Sequence, residues 1–162
     1  MQTIGLISDT HGLLRPQAIR ALQRCNHILH AGDIGDAQLL ALLRQLAPVS
    51  AVRGNNDTGA WAQALPEVLT LQFEQVRVQL LHDLKAWRPA EGGDAQVLVC
   101  GHSHRPVIEQ RGGVLLVNPG SAGPRRFSLP VSLALLMIDG AHAQAELVTL
   151  EVAPPRGGRP NR

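Results

Sequence analysis

Four short polar segments each follow an apolar run: Ser8-Asp9-Thr10-His11, Ala31-Gly32-Asp33, Arg53-Gly54-Asn55-Asn56-Asp57 and Gly101-His102-Ser103-His104. His82 closes a fifth run. Carboxylate, imidazole and amide donors suit first-row divalent metals, and an apolar strand that ends at a glycine turn delivers such donors to one edge of a sheet. Asp9 and His11 lie two residues apart at a strand end, where both side chains can point to one side and share an ion. His102 and His104 repeat that spacing, and Gly101 lets the backbone turn without steric cost. Each fragment alone has a plainer explanation, in which Asp33 caps a helix and the histidines only hydrogen-bond. Their common position after strands favours one shared metal site.

The elements that must hold these groups follow from the apolar pattern. Thr3 to Ile7, His27 to His30 and Val49 to Val52 read as strands, with helices over Pro16 to Arg24 and Ala37 to Leu46, the second capped by Asp36. Two βαβ units in succession imply a parallel sheet with right-handed crossovers. After Pro66 the texture changes. Val68 to Phe73 and Val76 to Leu81 alternate around Glu74-Gln75 as a hairpin, and strands are expected at Val97 to Cys100, Val107 to Glu109, Val114 to Val117, Leu133 to Ile138 and Ala145 to Val152. A βαβ half followed by a β-rich half predicts an α/β protein with two sheets packed face to face and helices outside.

Composition narrows the function classes. At 162 residues the chain fits one domain, burying about 70% of the surface its unfolded form exposes. With two Trp, two Phe and no Tyr, the core must be built of Leu, Val, Ile and Ala. Residues 1–153 are read as that domain, and the Pro/Gly/Arg segment 154–162 as a disordered tail. A formal charge of +2 and a single lysine, Lys85, argue against a nucleic-acid partner, which needs a coherent basic surface; Arg88 and Arg105 are the candidate phosphate contacts, and Arg125-Arg126 forms the one internal basic pair. Cys25 and Cys100 have neither disulfide-framework nor zinc-ribbon spacing and are expected as buried thiols of a reducing compartment. No leader or membrane-spanning stretch is expected, so the protein is placed in the cytoplasm, with no membrane partner. Exposed strand edges permit a homodimer without requiring one.

Taken together, Asp-x-His, Gly-Asp, Gly-Asn, a lone His and Gly-His-x-His in this order resemble the calcineurin-like metallophosphoesterase superfamily. Ser8 to Gly12, His30 to Asp33, Val52 to Asp57, Gly101 to Pro106 and Asn118 to Ser121 are most similar to its small single-domain prokaryotic phosphodiesterase branch. The resemblance covers about residues 3 to 150. It implies a four-layer αββα sandwich of two mixed sheets flanked by helices. It also implies that Asp9, His11, Asp33 and His104 hold one metal and that Asp33, Asn55, His82 and His102 hold the other, with Asp33 bridging. Two such cations can share a hydroxide that attacks phosphorus in line, which makes Asp33, Asn55 and His102 the centre of catalysis and small phosphate esters, diesters above monoesters, the expected substrates. Manganese is the first expectation for the two divalent ions, and Fe, Co, Ni or Zn suit the same donors.

Two departures matter. The family commonly has a His after the motif Asn, where this chain has Asn56, and an amide cannot serve as a general acid. The leaving-group acid is therefore unassigned. The fourth motif reads Leu81-His82-Asp83, with Leu81 where the family often has a Gly before the His. A non-catalytic protein-binding scaffold on the same fold and a nuclease are the alternatives; loss of a metal ligand would favour the scaffold, and all the ligand positions hold competent residues. His30 is expected as a packed group, His27 and His142 as solvent-facing. Asp57 is either a support for the motif backbone or an exposed turn residue, and Asn118-Pro119-Gly120-Ser121 is either a plain turn or a source of backbone N–H groups near the site.

Overall fold

A computed structural model describes residues 1–88 and 95–153. The segment 154–162, expected to be a disordered tail, lies outside the described residues. The chain runs β1 (Gln2–Ile7), α1 (Pro16–Leu22), β2 (His27–His30), α2 (Ala37–Arg44), β3 (Val49–Ala51), α3 (Ala60–Gln63), β4 (Val68–Phe73), β5 (Val76–Leu81), a 3-10 turn (Leu84–Ala86), β6 (Val97–Val99), β7 (Val107–Arg111), β8 (Val114–Asn118), β9 (Ser132–Asp139) and β10 (His142–Thr149). These strands form two five-stranded mixed sheets, ordered β10-β9-β1-β2-β3 and β4-β5-β6-β8-β7.

In the first sheet β1, β2 and β3 are parallel, and in the second β5, β6 and β8 are parallel. Antiparallel strands flank both sets. Parallel strands end on the same side, so the segments after β1, β2 and β3 gather at one edge of one sheet and those after β5, β6 and β8 at one edge of the other.

Alternation along each strand splits the apolar residues into layers. Ile4, Leu6, Leu29, Val78, Leu80, Val97, Val99, Val117 and Leu136 point between the sheets and form the central core. Ile7, Ile28 and Leu133 point outward against Ala18 and Leu22 of α1 and Leu39, Leu40 and Leu43 of α2. Asp36 starts α2 as expected, its Oδ1 accepting from the Leu39 N–H at 3.0 Å. The α/β sandwich is therefore as expected, but its helical cover is uneven. Among the described residues, the outer face of the second sheet, Leu98, Cys100 and Leu116, is covered by Leu84 and Trp87 of the 3-10 region. The Trp87 indole N–H donates to buried Gln79 there at 2.8 Å.

The last strand differs from expectation. It begins at His142 rather than Ala145, because a tight turn at Asp139-Gly140-Ala141 starts the β9–β10 pairing at His142 opposite Asp139. The four-residue helix α3 was not legible in the sequence; one turn carries too little periodicity. Among the described residues, no helix is long and apolar enough to cross a membrane.

Leu80 is fully buried between the sheets, whereas Leu42 on α2 is 39% exposed. Leu80→Ala is expected to cost about 2–5 kcal/mol by loss of transfer energy and creation of a cavity, against less than about 0.5 kcal/mol for Leu42→Ala. Urea denaturation of both variants measures the difference.

Candidate metal centre

The residues after the parallel strands meet where the two sheets' edges converge. Asp9 and His11 follow β1, Asp33 follows β2, Asn55 follows β3, His82 follows β5, and His102 and His104 follow β6. His104 Nε2 lies 3.4 Å from Asp9 Oδ1, His11 Nε2 lies 3.8 Å from Asp33 Oδ2, and His82 Nε2 lies 3.4 Å from the same Asp33 oxygen. Asn55 Oδ1 is 2.9 Å from His82 Nε2 and 3.1 Å from His102 Nδ1, and those two ring nitrogens are 3.3 Å apart. Every donor expected from the sequence stands at this rim.

Five of these residues, Asp9 (φ 54°), His11 (46°), Asp33 (54°), His102 (72°) and His104 (62°), have left-handed backbone. That conformation is uncommon outside glycine, though Asp and His tolerate it better than bulky or β-branched residues. It turns each side chain out of the strand direction and toward the rim. Nothing in the spacing of the motifs reveals it.

The donor atoms are placed as a cation requires. Asp9 Oδ2 accepts from the Ser8 hydroxyl (2.7 Å) and the His102 backbone N–H (3.1 Å), which leaves Oδ1 free. Buried Asp9 Oδ1, His11 Nε2 and His104 Nδ1 have no hydrogen-bond partner among the described residues. His82 Nδ1 sits 2.7 Å from the Ala31 carbonyl, which can only accept, so Nδ1 carries hydrogen and a neutral ring turns its Nε2 lone pair toward Asn55 and Asp33. Converging lone pairs and orphaned buried acceptors repel one another unless positive charge stands among them. Two sets of donors, Asp9/His11/His104 and Asp9/Asp33/His82, each bring their ligand atoms within 4.8 Å of one another. The residues present therefore fit divalent metal, with Asp9 reaching both sets and Asp33 touching histidines from both.

Electrostatics support ionised carboxylate here. Burial opposes the charge on Asp33, but the His82 imidazole and the N–H groups of Asn56 outweigh it and hold the carboxyl well below its usual range. Burial would also push His82 down, yet Asp33, the Ala31 carbonyl and Asp9 raise it above the ordinary imidazole value.

Around the donors lies a set of braces that the motifs only partly disclosed. Asp57 is buried, not an exposed turn residue. Its Oδ1 accepts from the N–H groups of Ile34 (2.9 Å) and Gly35 (3.1 Å), and its Oδ2 from Gly54 (2.8 Å), so one carboxylate ties the Asp33 loop to the Asn55 loop. Gly54 is required there, because a Cβ would run into the backbone N and Oδ1 of Asp33. Asn56 donates from its backbone and its side chain to the two oxygens of Asp33, at 2.9 and 3.0 Å. The Asn118-Pro119-Gly120-Ser121 segment is neither a plain turn nor a row of backbone donors. Its side chains are the clasp, Asn118 Nδ2 donating to the Gly101 carbonyl (3.0 Å) and Ser103 Oγ (3.1 Å) and Ser121 Oγ to the Asp9 carbonyl (2.9 Å).

His30 is a packed group as expected. Its Nδ1 accepts from the Gly32 N–H at 3.1 Å, and its Nε2 pairs with Thr10 Oγ1 at 2.9 Å, whose hydroxyl donates to the Ile34 carbonyl at 2.8 Å. Burial pushes its pKa down to about 3. His142 is exposed, but His27 is not solvent-facing as expected. It is half-buried, edge-on to Phe73 with ring centroids 5.2 Å apart and paired with Ser50 Oγ at 2.9 Å, because β3 and the second sheet cover it. Cys25 and Cys100 are both buried and free, and burial pushes the Cys100 thiol up to about 12.

Two predictions follow from the braces. Asp57→Ala strands three backbone donors and is expected to cost about 3 kcal/mol, read by urea denaturation, together with lower metal uptake. For His30, the unfolded chain takes up a proton near the ordinary 6.5 while the folded imidazole stays neutral to about 3. Stability is therefore full above pH 6.5 and declines as pH falls toward 3. Asp33, with its lowered carboxyl, contributes stability that is full above the ordinary 3.8 and is lost progressively as pH falls below it. In chelator, His30→Gln should flatten the stability slope between pH 6.5 and 4.

Residues 2–141 match the family model for the calcineurin-like phosphoesterase superfamily domain. A protein named "Probable metallophosphoesterase" from Methanothermobacter thermautotrophicus is 37% identical over 159 residues, covering 90% of this chain and 91% of its own. "Phosphodiesterase YfcE" of Escherichia coli K12 is 35% identical over 167 residues, with 84% and 88% covered. The crystal structure of Chaetomium thermophilum Vps29 superposes with a TM-score of 0.76 over 93% of this chain and 98% of that one, and at 22% identity it is a likeness of fold. The chain belongs to the calcineurin-like phosphoesterase superfamily, and it is a hydrolase of phosphoric ester bonds.

Proposed function

We propose that the protein hydrolyses small phosphodiesters at a dinuclear metal site. The observation that carries this reading is the position of Asp33, whose Oδ2 lies 3.8 Å from His11 and 3.4 Å from His82, with Asp9 and His104 beyond the one and Asn55 and His102 beyond the other. In this reading Asp9, His11, Asp33 and His104 hold one ion and Asp33, Asn55, His82 and His102 the other. Divalent cations there supply the positive charge that activates a water and that offsets negative charge building on the phosphoryl oxygens. Manganese is the ion of first choice in this reading, and Fe, Co, Ni or Zn suit the same oxygen and imidazole donors.

The chain's own residues set the geometry of in-line attack. Ser8 and the His102 N–H fix one oxygen of Asp9 so that the other faces the rim. His102 is an open donor, its side chain 45% exposed, and its Nε2 faces Asp83 at 4.0 Å, which favours the tautomer that leaves Nδ1 free. Beside Asn55 and His82 an open cleft of about 520 Å³, bordered by Arg53, Gln63 and Glu67, has room for an ester arm. Asn56 is committed to Asp33. No side chain is assigned as the leaving-group acid, so esters with good leaving groups are expected to turn over fastest. A cytoplasmic, membrane-free setting fits substrates of this kind.

Chelated protein is expected to regain hydrolysis of bis(p-nitrophenyl) phosphate on addition of manganese, with about two ions per chain by elemental analysis. Asp33→Asn is expected to lower the rate at least about a hundredfold, beyond the loss typical for residues that merely support a ligand. Equal rates for wild type and Asp33→Asn would instead favour the scaffold.

A further inference from the structure

The loop between the Ser121 clasp and β9 places Arg125, Arg126 and Phe127 beside the donor rim, and no part of the chemistry above uses them. Its base is fixed: Ser121 Oγ and the Ala122 N–H donate to the carbonyls of Asp9 and Ser8, and the Arg15 side chain donates to the Gly123 carbonyl at 3.2 Å. Its far end is closed by a turn in which the Leu129 N–H donates to the Arg126 carbonyl at 3.1 Å. Between these anchors the tip projects outward.

Three features of the tip point to a ligand. Phe127, one of two phenylalanines in the chain, is 88% exposed and has left-handed backbone (φ 54°), an outlier for a bulky residue. Arg125 and Arg126 are exposed, and among the described residues neither has a carboxylate within 4 Å. A hollow of about 240 Å³ runs from His11 and His104 to the two arginines, and a second of about 380 Å³ lies against Phe127. Both hollows are bordered by Pro124 and Arg125, so one ligand can pass from the rim along the arginines to the aromatic ring.

We infer that this loop selects nucleotide-type phosphodiesters: the scissile phosphate sits at the rim, a second phosphate lies against Arg125 and Arg126, and a base stacks on Phe127. Free guanidiniums are the side chains suited to a phosphate outside the metal cluster, since they remain charged and offer several donors. An exposed ring receives any base through its π-face, which raises affinity about fivefold to a hundredfold. A chain with a net charge of only +2 needs the positive charge concentrated in such a place to hold a ligand that carries two phosphates. The inference rests on the phosphodiesterase reading and adds the class of substrate to it.

The test pairs a binding readout with a kinetic one. The 5′-phosphorylated dinucleotide pTpT is titrated into EDTA-treated wild type, Phe127→Ala and Arg125→Ala/Arg126→Ala by calorimetry. Binding is expected to weaken about tenfold in the first variant, more in the second, and in wild type on raising salt. With manganese, kcat/KM for pTpT is expected to fall at least tenfold in both variants, mostly through KM, while that for methyl p-nitrophenyl phosphate, which lacks a base and a second phosphate, stays within about twofold. Equal binding of pTpT by wild type and both variants, or equal losses on the two substrates, overturns the inference. A thymidine 20-mer separates a free nucleotide from a strand: affinity similar to that of pTpT supports the small ligand, and far tighter, steeply salt-dependent binding overturns it. Wild type that binds pTpT through these residues yet hydrolyses neither ester overturns the phosphodiesterase reading and leaves the recognition loop standing.

Discussion

Left-handed backbone at the donor residues is the constraint on which the site depends. Asp9, His11, Asp33, His102 and His104 all hold conformations that L-residues resist, each at a cost on the order of 1–2 kcal/mol. Such strain persists only where the surroundings over-determine it. The surroundings here are hydrogen bonds between the loops themselves. The N–H groups of Asp9, His11 and Gly12 donate to the carbonyls of Gly32, Asp33 and Ile34, so the loop after β1 lies zipped to the loop after β2.

Buried polar side chains complete the lock. Asp57 ties the second loop to the third, His30 and Thr10 fasten the first to the second from below, and Asn118 and Ser121 tie the loop after β8 to those carrying His102 and Asp9. Each of these groups is buried, so each must be paired, and each finds its partner in a donor loop. Fold stability and site geometry are thus carried by the same bonds. Below them the parallel strands and the core between the sheets provide a rigid base, so small shifts in the loops are resisted from beneath.

Much of this was legible in the sequence. The βαβ units, the hairpin around Glu74-Gln75 and the Asp36 cap follow from periodicity and local chemistry, which act over a few residues. The donors were legible because residue type and position after an apolar run mark them. Asp57 stayed open, because an acid in a turn reads alike whether it is exposed or buried. Asn56 was legible as an amide in place of an imidazole, but its grip on both oxygens of Asp33 depends on how two separate loops approach. His27 was misjudged because its cover, Phe73 and Ser50, comes from other strands. The thin cover of the second sheet follows from a 3-10 turn and a tryptophan, which have no period to read.

The sequence by itself determined the strands, the order of the motifs and the kinds of ligand atom available, because each depends on covalent spacing and side-chain chemistry. Only the tertiary structure decided which oxygen of Asp9 is anchored and which is free, that Asp33 lies between two histidines from different strands, and that an aromatic ring and two arginines stand beside them. Those features depend on backbone sign and on pairing between residues distant in the chain. Both are set when the two sheets pack and their loops close on one another.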